Sequence, residues 1–137
     1  MNRRVSHSLD TSFVIRLLTR DPLPLYQRAA EFLGQWKKGS PGLLVPDLVL
    51  AETYFALQHH YIFSKEDALS TLHAFARHPA ISVSPCADKT LALPQLSTAK
   101  PGFVDRLIHG TAETAGIPLV TFEKSAKLLP NTLVLGV

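Results

Sequence analysis

Four acidic side chains, Asp10, Glu52, Asp105 and Glu123, stand where a solvated surface does not account for them. Asp10 ends an alternating run, Val5, His7 and Leu9, and a helix-like stretch from Phe13 to Leu18 follows at once. Glu52 lies inside Val49-Leu50-Ala51-Glu52-Thr53-Tyr54-Phe55-Ala56-Leu57, a helix with little polar surface to spare. Asp105 stands in the first turn of a helix after Lys100-Pro101-Gly102, and Glu123 follows the apolar run Leu119-Val120-Thr121-Phe122. Each also has an ordinary structural role. Asp10 is a favoured helix N-cap, Glu52 fits a narrow polar stripe, Asp105 suits the positive end of a helix dipole, and Glu123 reads as a loop acid.

The joint placement says more than any one residue. Asp10 and Glu123 follow strands and Asp105 begins a helix, so all three can face the sheet edge where ligands collect in α/β folds. Glu52, one turn into its helix, can reach that edge. At about 5 Å and an effective dielectric of about 20, each close carboxylate pair costs roughly 3 kcal/mol. Such a cluster persists only if a cation occupies it or some of the acids are protonated. All-oxygen ligation favours Mg2+ or Mn2+ over zinc. Ions of this kind hydrolyse phosphodiesters by lowering the pKa of water and neutralising phosphoryl charge.

The elements that must position these acids alternate between short apolar strands and helices. Pro24 can open a helix that carries Tyr26, Ala29, Leu33 and Trp36 on one stripe and closes at Lys37-Lys38-Gly39. Leu43-Leu44-Val45 reads as a buried strand, followed by a helix from Leu48 to about Tyr61. Ser64-Lys65-Glu66-Asp67 is a capped helix start, with Leu69, Leu72 and Phe75 as its core stripe. Ile81-Ser82-Val83 alternates as a strand, and a helical run from Ala87 to Leu93 meets Pro94, which should end or bend it. Phe103 to Ala115 is a helix with Gly116 beyond its end, and strands at Ile117–Phe122 and Leu133–Leu135 complete the chain. Four or five strands alternating with helices predict an α/β domain with a mostly parallel sheet.

At 137 residues, 46% hydrophobic and 18% charged, the chain reads as one well-cored domain spanning 1–137. One cysteine, Cys86, excludes an internal disulfide and suits a reducing compartment. No apolar run approaches the roughly 20 residues of a membrane span, and the sequence after Arg3 and Arg4 is too polar for a secretory signal. A cytoplasmic location is expected. The net charge of +3 permits a polyanionic partner without requiring one.

Other candidates carry less. His59 and His60 are adjacent and diverge by about 100° on a helix, and His73 and His78 lack a third ligand at a useful spacing. Nothing beside Cys86 activates a thiolate. Glu113 lies about 12 Å along the helix axis from Asp105, too far to share an ion. Arg16, Lys100, Arg106, Lys124 and Lys127 flank the four acids in sequence and can serve as phosphate contacts; solvated helix ends are their ordinary role.

The order Leu-Asp-Thr-Ser, Pro-Asp-Leu-Val-Leu-Ala-Glu, Gly-Phe-Val-Asp-Arg-Leu-Ile and Leu-Val-Thr-Phe-Glu-Lys resembles the PIN-domain nucleases. Among them it is most similar to the VapC-type toxins of bacterial toxin–antitoxin pairs. The resemblance covers Val5 to Val137. It implies a three-layer PIN-like fold, Mg2+- or Mn2+-dependent endoribonuclease activity, homodimers, and inhibition by a small antitoxin. Carried over by position, Asp10, Glu52 and Asp105 match the family's acidic ligands, and Glu123 stands where aspartate is usual. Ser12 and Thr121 match small polar helpers, the Thr121 hydroxyl orienting a carboxylate or water, while Arg16, Arg106 and Lys124 are the expected RNA contacts. Three departures stand out: the longer Glu123, the polar Ser6-His7-Ser8 in a strand expected at the sheet centre, and Pro94 within a helical segment. The first two leave open a catalytically weak or inactive PIN-fold module that binds RNA or protein; the same chemistry on DNA is a third reading.

Overall fold

The structure, a computed structural model, describes residues 3–136. The elements run β1 (Val5–Ser8), α1 (Thr11–Thr19), α2 (Leu23–Gly34), β2 (Gly42–Leu44), α3 (Asp47–His59), α4 (Lys65–Ala76), β3 (Ile81–Ser82), α5 (Pro85–Leu91), α6 (Phe103–Thr114), β4 (Leu119–Thr121) and β5 (Thr132–Val134). Two short 3-10 turns, Leu96–Thr98 and Lys124–Leu128, precede α6 and β5.

Local chemistry sets most boundaries. Ser64 Oγ accepts the Asp67 N–H at 3.0 Å and starts α4, and Ser84 Oγ accepts the Ala87 N–H at 3.0 Å and starts α5. Ser84 also donates to Asp47 Oδ1 at 2.7 Å, which fixes the start of α5 against the start of α3. Because α5 ends at Leu91, Pro94 falls in the connection and interrupts nothing. Gly116, at φ 73°, turns the chain out of α6 in the left-handed region that glycine reaches without strain.

The helix α2 stops at Gly34, two residues before Trp36, although the apolar stripe continues to it. Trp36 instead packs against the core from the loop, where its indole N–H donates to the Pro41 carbonyl at 3.0 Å. The Arg3 guanidinium lies 5.7 Å from its ring centroid. The same guanidinium donates to the carbonyls of Ile81 at 3.1 Å and Pro79 at 2.7 Å. It passes Gly42 so closely that a Cβ there would lie 2.8 Å from it, and a larger residue would push the flexible end of Arg3 aside.

Four or five strands in a mostly parallel sheet are expected; the five strands among the described residues all pair in parallel, and they form two ladders. In the first, β1 pairs with β2 (His7↔Leu43, Ser8↔Leu44) and β2 with β3 (Leu43↔Ile81). In the second, β4 pairs with β5 through Leu119↔Thr132, Val120↔Leu133 and Thr121↔Val134. The strand β1 is therefore an edge strand with all four residues exposed, which is why Ser6, His7 and Ser8 are tolerated there.

The core lies between the first ladder and helices α3 to α6. Leu43, Val45 and Ile81 of the ladder region pack with Leu50, Leu57, Leu72, Leu91, Phe103 and Leu107. Each such side chain contributes about 1.5–3 kcal/mol by burial. Gly110 of α6 meets Cys86 of α5 so tightly that a Cβ at Gly110 would overlap the sulfur. The thiol donates to the Arg106 carbonyl at 3.4 Å, so Cys86 is a packing residue. Among the described residues no helix is long and apolar enough to cross a membrane.

Candidate functional site

Asp10 sits between β1 and α1 and is the N-cap of that helix. Its Oδ1 accepts the Phe13 N–H at 3.0 Å and the Ser12 hydroxyl at 2.7 Å. The Phe13 amide and then the Ser12 hydroxyl hold the carboxyl below the ordinary aspartate value. Both bonds fall on one oxygen, so Oδ2 is uncommitted by them. Capping and ligation are thus compatible in one side chain.

Helices α1 and α3 pack together, and Thr11 spans the contact by donating to Glu52 Oε1 at 2.7 Å. Asp10 and Glu52 are thereby tied through consecutive residues of α1. Thr11 was not singled out in the sequence. Its only signal was adjacency to Asp10, because the hydroxyl matters through an α1–α3 contact that local pattern does not encode.

Asp105 is the third residue of α6 and is exposed. It lines a cavity of about 130 Å3 together with Glu123, Thr121, Ile108 and Ala126. Glu123 is the N-cap of the 3-10 turn Lys124–Leu128: its Oε1 accepts the Ser125 N–H at 3.2 Å and the Ser125 hydroxyl at 3.0 Å. Those bonds, with the nearby Lys100 charge as a smaller contribution, lower its pKa. The Thr121 hydroxyl accepts the Glu123 backbone N–H at 3.0 Å. It holds the turn that presents Glu123 and touches no carboxylate, because the turn brings the main chain of Glu123 over it.

The four acids therefore stand as two pairs, Asp10 with Glu52 and Asp105 with Glu123. They do not form one cluster: among the described residues no three His, Cys, Asp or Glu side chains are grouped closely enough to hold a metal ion. The reason lies in the two ladders. The first pair is carried by β1, α1 and α3; Glu123 follows β4, which pairs with β5 and not with β1. The donors suit Mg2+ or Mn2+ in kind, with two carboxylates in each pair.

Of the basic residues, Arg16 donates to the Tyr61 hydroxyl at 3.1 Å and Arg106 to the Pro101 carbonyl at 2.7 Å. Both guanidiniums spend donors on the fold. Lys124 is exposed beside Glu123, and Lys100 is close enough to act on the Glu123 charge. A cavity of about 850 Å3 lies along Leu44–Asp47 and Ser82–Pro85 and is lined by none of the four acids.

A family model described as the PIN domain matches residues 8–130. No curated protein matches the sequence. Among solved structures, the chain is similar to Mycobacterium tuberculosis VapC20, a toxin that cleaves the sarcin–ricin loop, at 16% identity and a TM-score of 0.44, over 90% of this chain and 95% of that one. It is also similar to Rickettsia felis VapBC2 bound to a fragment of its promoter DNA, at 20% identity and a TM-score of 0.37, over 94% and 96% of the two chains.

Proposed function

The chain belongs to the PIN-domain family, and from that membership and its two pairs of carboxylates we propose that it is a metal-dependent endoribonuclease acting as the toxin of a toxin–antitoxin pair. The observation that carries this reading is the pairing of Asp10 with Glu52 through Thr11, two acids 42 residues apart in sequence held at the end of one parallel strand. Asp10 is ionised at neutral pH, because two hydrogen bonds stabilise its charged form. Asp10, Glu52, Asp105 and Glu123 are the proposed ligands. Mg2+ or Mn2+, when bound, supplies charge neutralisation at the phosphodiester.

The protein's own residues supply the positioning. Ser12 and Thr11 fix the first two carboxylates, Ser125 fixes Glu123, and Lys100 and Lys124 offer unspent cations for the RNA backbone. A small antitoxin is the proposed partner and the cytoplasm the proposed location, as for toxins of this type. Incubating the protein with RNA and with single-stranded DNA, in Mn2+ and again in chelator, tests the reading. Cleavage of RNA alone, abolished by chelator, is the expected result; cleavage of neither substrate, or chelator-resistant cleavage, contradicts it.

The separation of the two pairs favours a second reading, a PIN-fold module that binds RNA or protein without cutting. Calorimetric titration with Mn2+ separates the two: absence of binding at millimolar ion supports the non-catalytic module.

A further inference from the structure

The first ladder is polarised along its strands. Because β1, β2 and β3 run parallel, their entries lie at one end of the sheet and their exits at the other. The exits lead to acids, Asp10 after β1 and Asp47 after β2. The entries carry cations: Arg3 and Arg4 before β1, and Lys37 and Lys38 in the loop before β2. No Asp or Glu occurs in residues 3–9 or 32–46. From Arg4 to Asp10 the strand rises about 20 Å, so the two ends are well separated.

Local structure presents these cations from a braced loop. The Ser40 N–H donates to the Lys37 carbonyl at 3.0 Å, and Gly39, at φ 90°, closes the turn in the region glycine reaches without strain. The Trp36 indole bond to the Pro41 carbonyl ties the two ends of the loop together. Arg3, over the Trp36 ring, binds the Pro79 and Ile81 carbonyls and so brings its charge to this end while bracing it. Arg77, exposed at the end of α4, stands two residues before Pro79 and adds a cation on the β3 side. Arg4, Lys37 and Lys38 are exposed as well. Among the described residues the one ion pair is His109 with Glu113, on α6, so none of these charges is neutralised by a carboxylate. A cavity of about 330 Å3 opens here, lined by Arg3, Arg4, Trp36, Gly39, Ser40 and Pro41. That is the liquid volume of about ten waters, ample for a phosphodiester group and its sugar.

We infer that the entry end of the first ladder is a second RNA contact, remote from the carboxylates, which holds the phosphate backbone through Arg4, Lys37, Lys38 and Arg77 without a metal ion. RNA as the ligand rests on the proposed function; the cation cluster does not. Uncompensated Lys and Arg side chains gain affinity for a polyanion by releasing its condensed counterions. A membrane surface would call for an apolar face beside the cations. Gly39, Ser40 and Pro41 stand there instead, with the Trp36 ring under Arg3. The acidic exits repel phosphate until a cation offsets them, so the basic entries can hold a strand that the acids alone would turn away. About 20 Å is the span of about six phosphates at roughly 3.4 Å each. An RNA shorter than that reaches one end of the sheet and not both.

The test is fluorescence anisotropy in chelator with single-stranded RNAs of about 20 and about 4 nucleotides, across about 50–200 mM salt. Three proteins are compared: wild type, Lys37→Ala/Lys38→Ala, and Lys65→Ala/Lys89→Ala, which removes the same charge from α4 and α5. Wild type binds the long RNA in chelator, and log K falls against log salt with a slope of about −2 to −3. Lys37→Ala/Lys38→Ala, with an unchanged far-UV spectrum, binds about 10-fold more weakly and flattens the slope by about 1.4. The control pair changes affinity by less than about 2-fold. In Mn2+, Lys37→Ala/Lys38→Ala raises KM for the long RNA and leaves its kcat unchanged, the mark of a contact held equally in ground and transition states. KM for the short RNA stays as in wild type. Equal losses in the two double variants, no RNA binding in chelator, or capture by phosphatidylserine vesicles where RNA is not bound overturns the site. Binding in chelator without cleavage in Mn2+ refutes only the nuclease reading, whereas cleavage with a KM indifferent to Lys37 and Lys38 refutes only the second contact.

Discussion

Asp10 and Glu123 begin from the same local grammar and end in different surroundings. Each follows a parallel strand, caps the helical turn after it, and shares its carboxylate oxygen between a backbone N–H and a serine hydroxyl. Around Asp10 the scaffold is dense: Leu9 and Val14 on either side are buried, and the ladder beneath continues into Leu43, Val45 and Ile81. Around Glu123 it is thin, with Phe122 and Leu128 exposed and Ala126 the buried anchor of the turn. Short-range hydrogen bonding can therefore present a carboxylate equally well on a packed sheet and on a bare one. What it cannot supply is the partner pair.

Mutations sharpen that contrast, beginning with the deepest burial. Leu50→Ala, in the dense half, lowers stability in denaturant melts by about 2–5 kcal/mol through the cavity it leaves. His109→Ala strips the buried donor from the Pro130 carbonyl and loosens the second ladder, for about 1–3 kcal/mol in the same assay. Asp10→Ala removes the α1 cap and costs about 1 kcal/mol, while Asp10→Asn keeps the cap because asparagine serves equally well there. The smallest effect belongs to Thr53, whose buried Oγ1 has no hydrogen-bond partner. Thr53→Val leaves stability unchanged or raises it by up to about 1 kcal/mol, since it deletes an unmatched polar atom at constant shape.

The caps also make a pH prediction with a definite sign. The folded pKa of Asp10 is depressed, so its contribution is present above the unfolded aspartate value and is lost as pH falls through the folded one. Wild type should lose stability relative to Asp10→Asn on acidification below about pH 4. An identical acid limb in the two proteins would show that the cap contributes nothing.

Much of this was legible in the sequence because it is local. The strand–acid–helix junction at Asp10, the Ser64 cap, the Gly116 exit and the alternation of short strands with helices all follow from neighbours within a few residues. Where the reading stopped, distance along the chain was the cause. The apolar stripe through Trp36 outran α2, since a core contact made from a loop satisfies the same periodicity. Pro94 looks disruptive only for a helix expected over Ala87–Leu93; α5 starts and ends two residues earlier. The Thr11–Glu52 bond, and the absence of pairing between β1 and β4, depend on contacts that no window of local pattern contains. That the four acids stand as two pairs, with no group of three among the described residues, is likewise a matter of contacts far apart in sequence.

The most direct test of the central claim compares wild type with Asp10→Asn for RNA cleavage in Mn2+, with circular dichroism to show that both are folded. The account predicts that the variant keeps its melting temperature and loses about 100-fold or more of the cleavage rate, the scale of removing one preorganised charge. Equal rates from two folded proteins would contradict it.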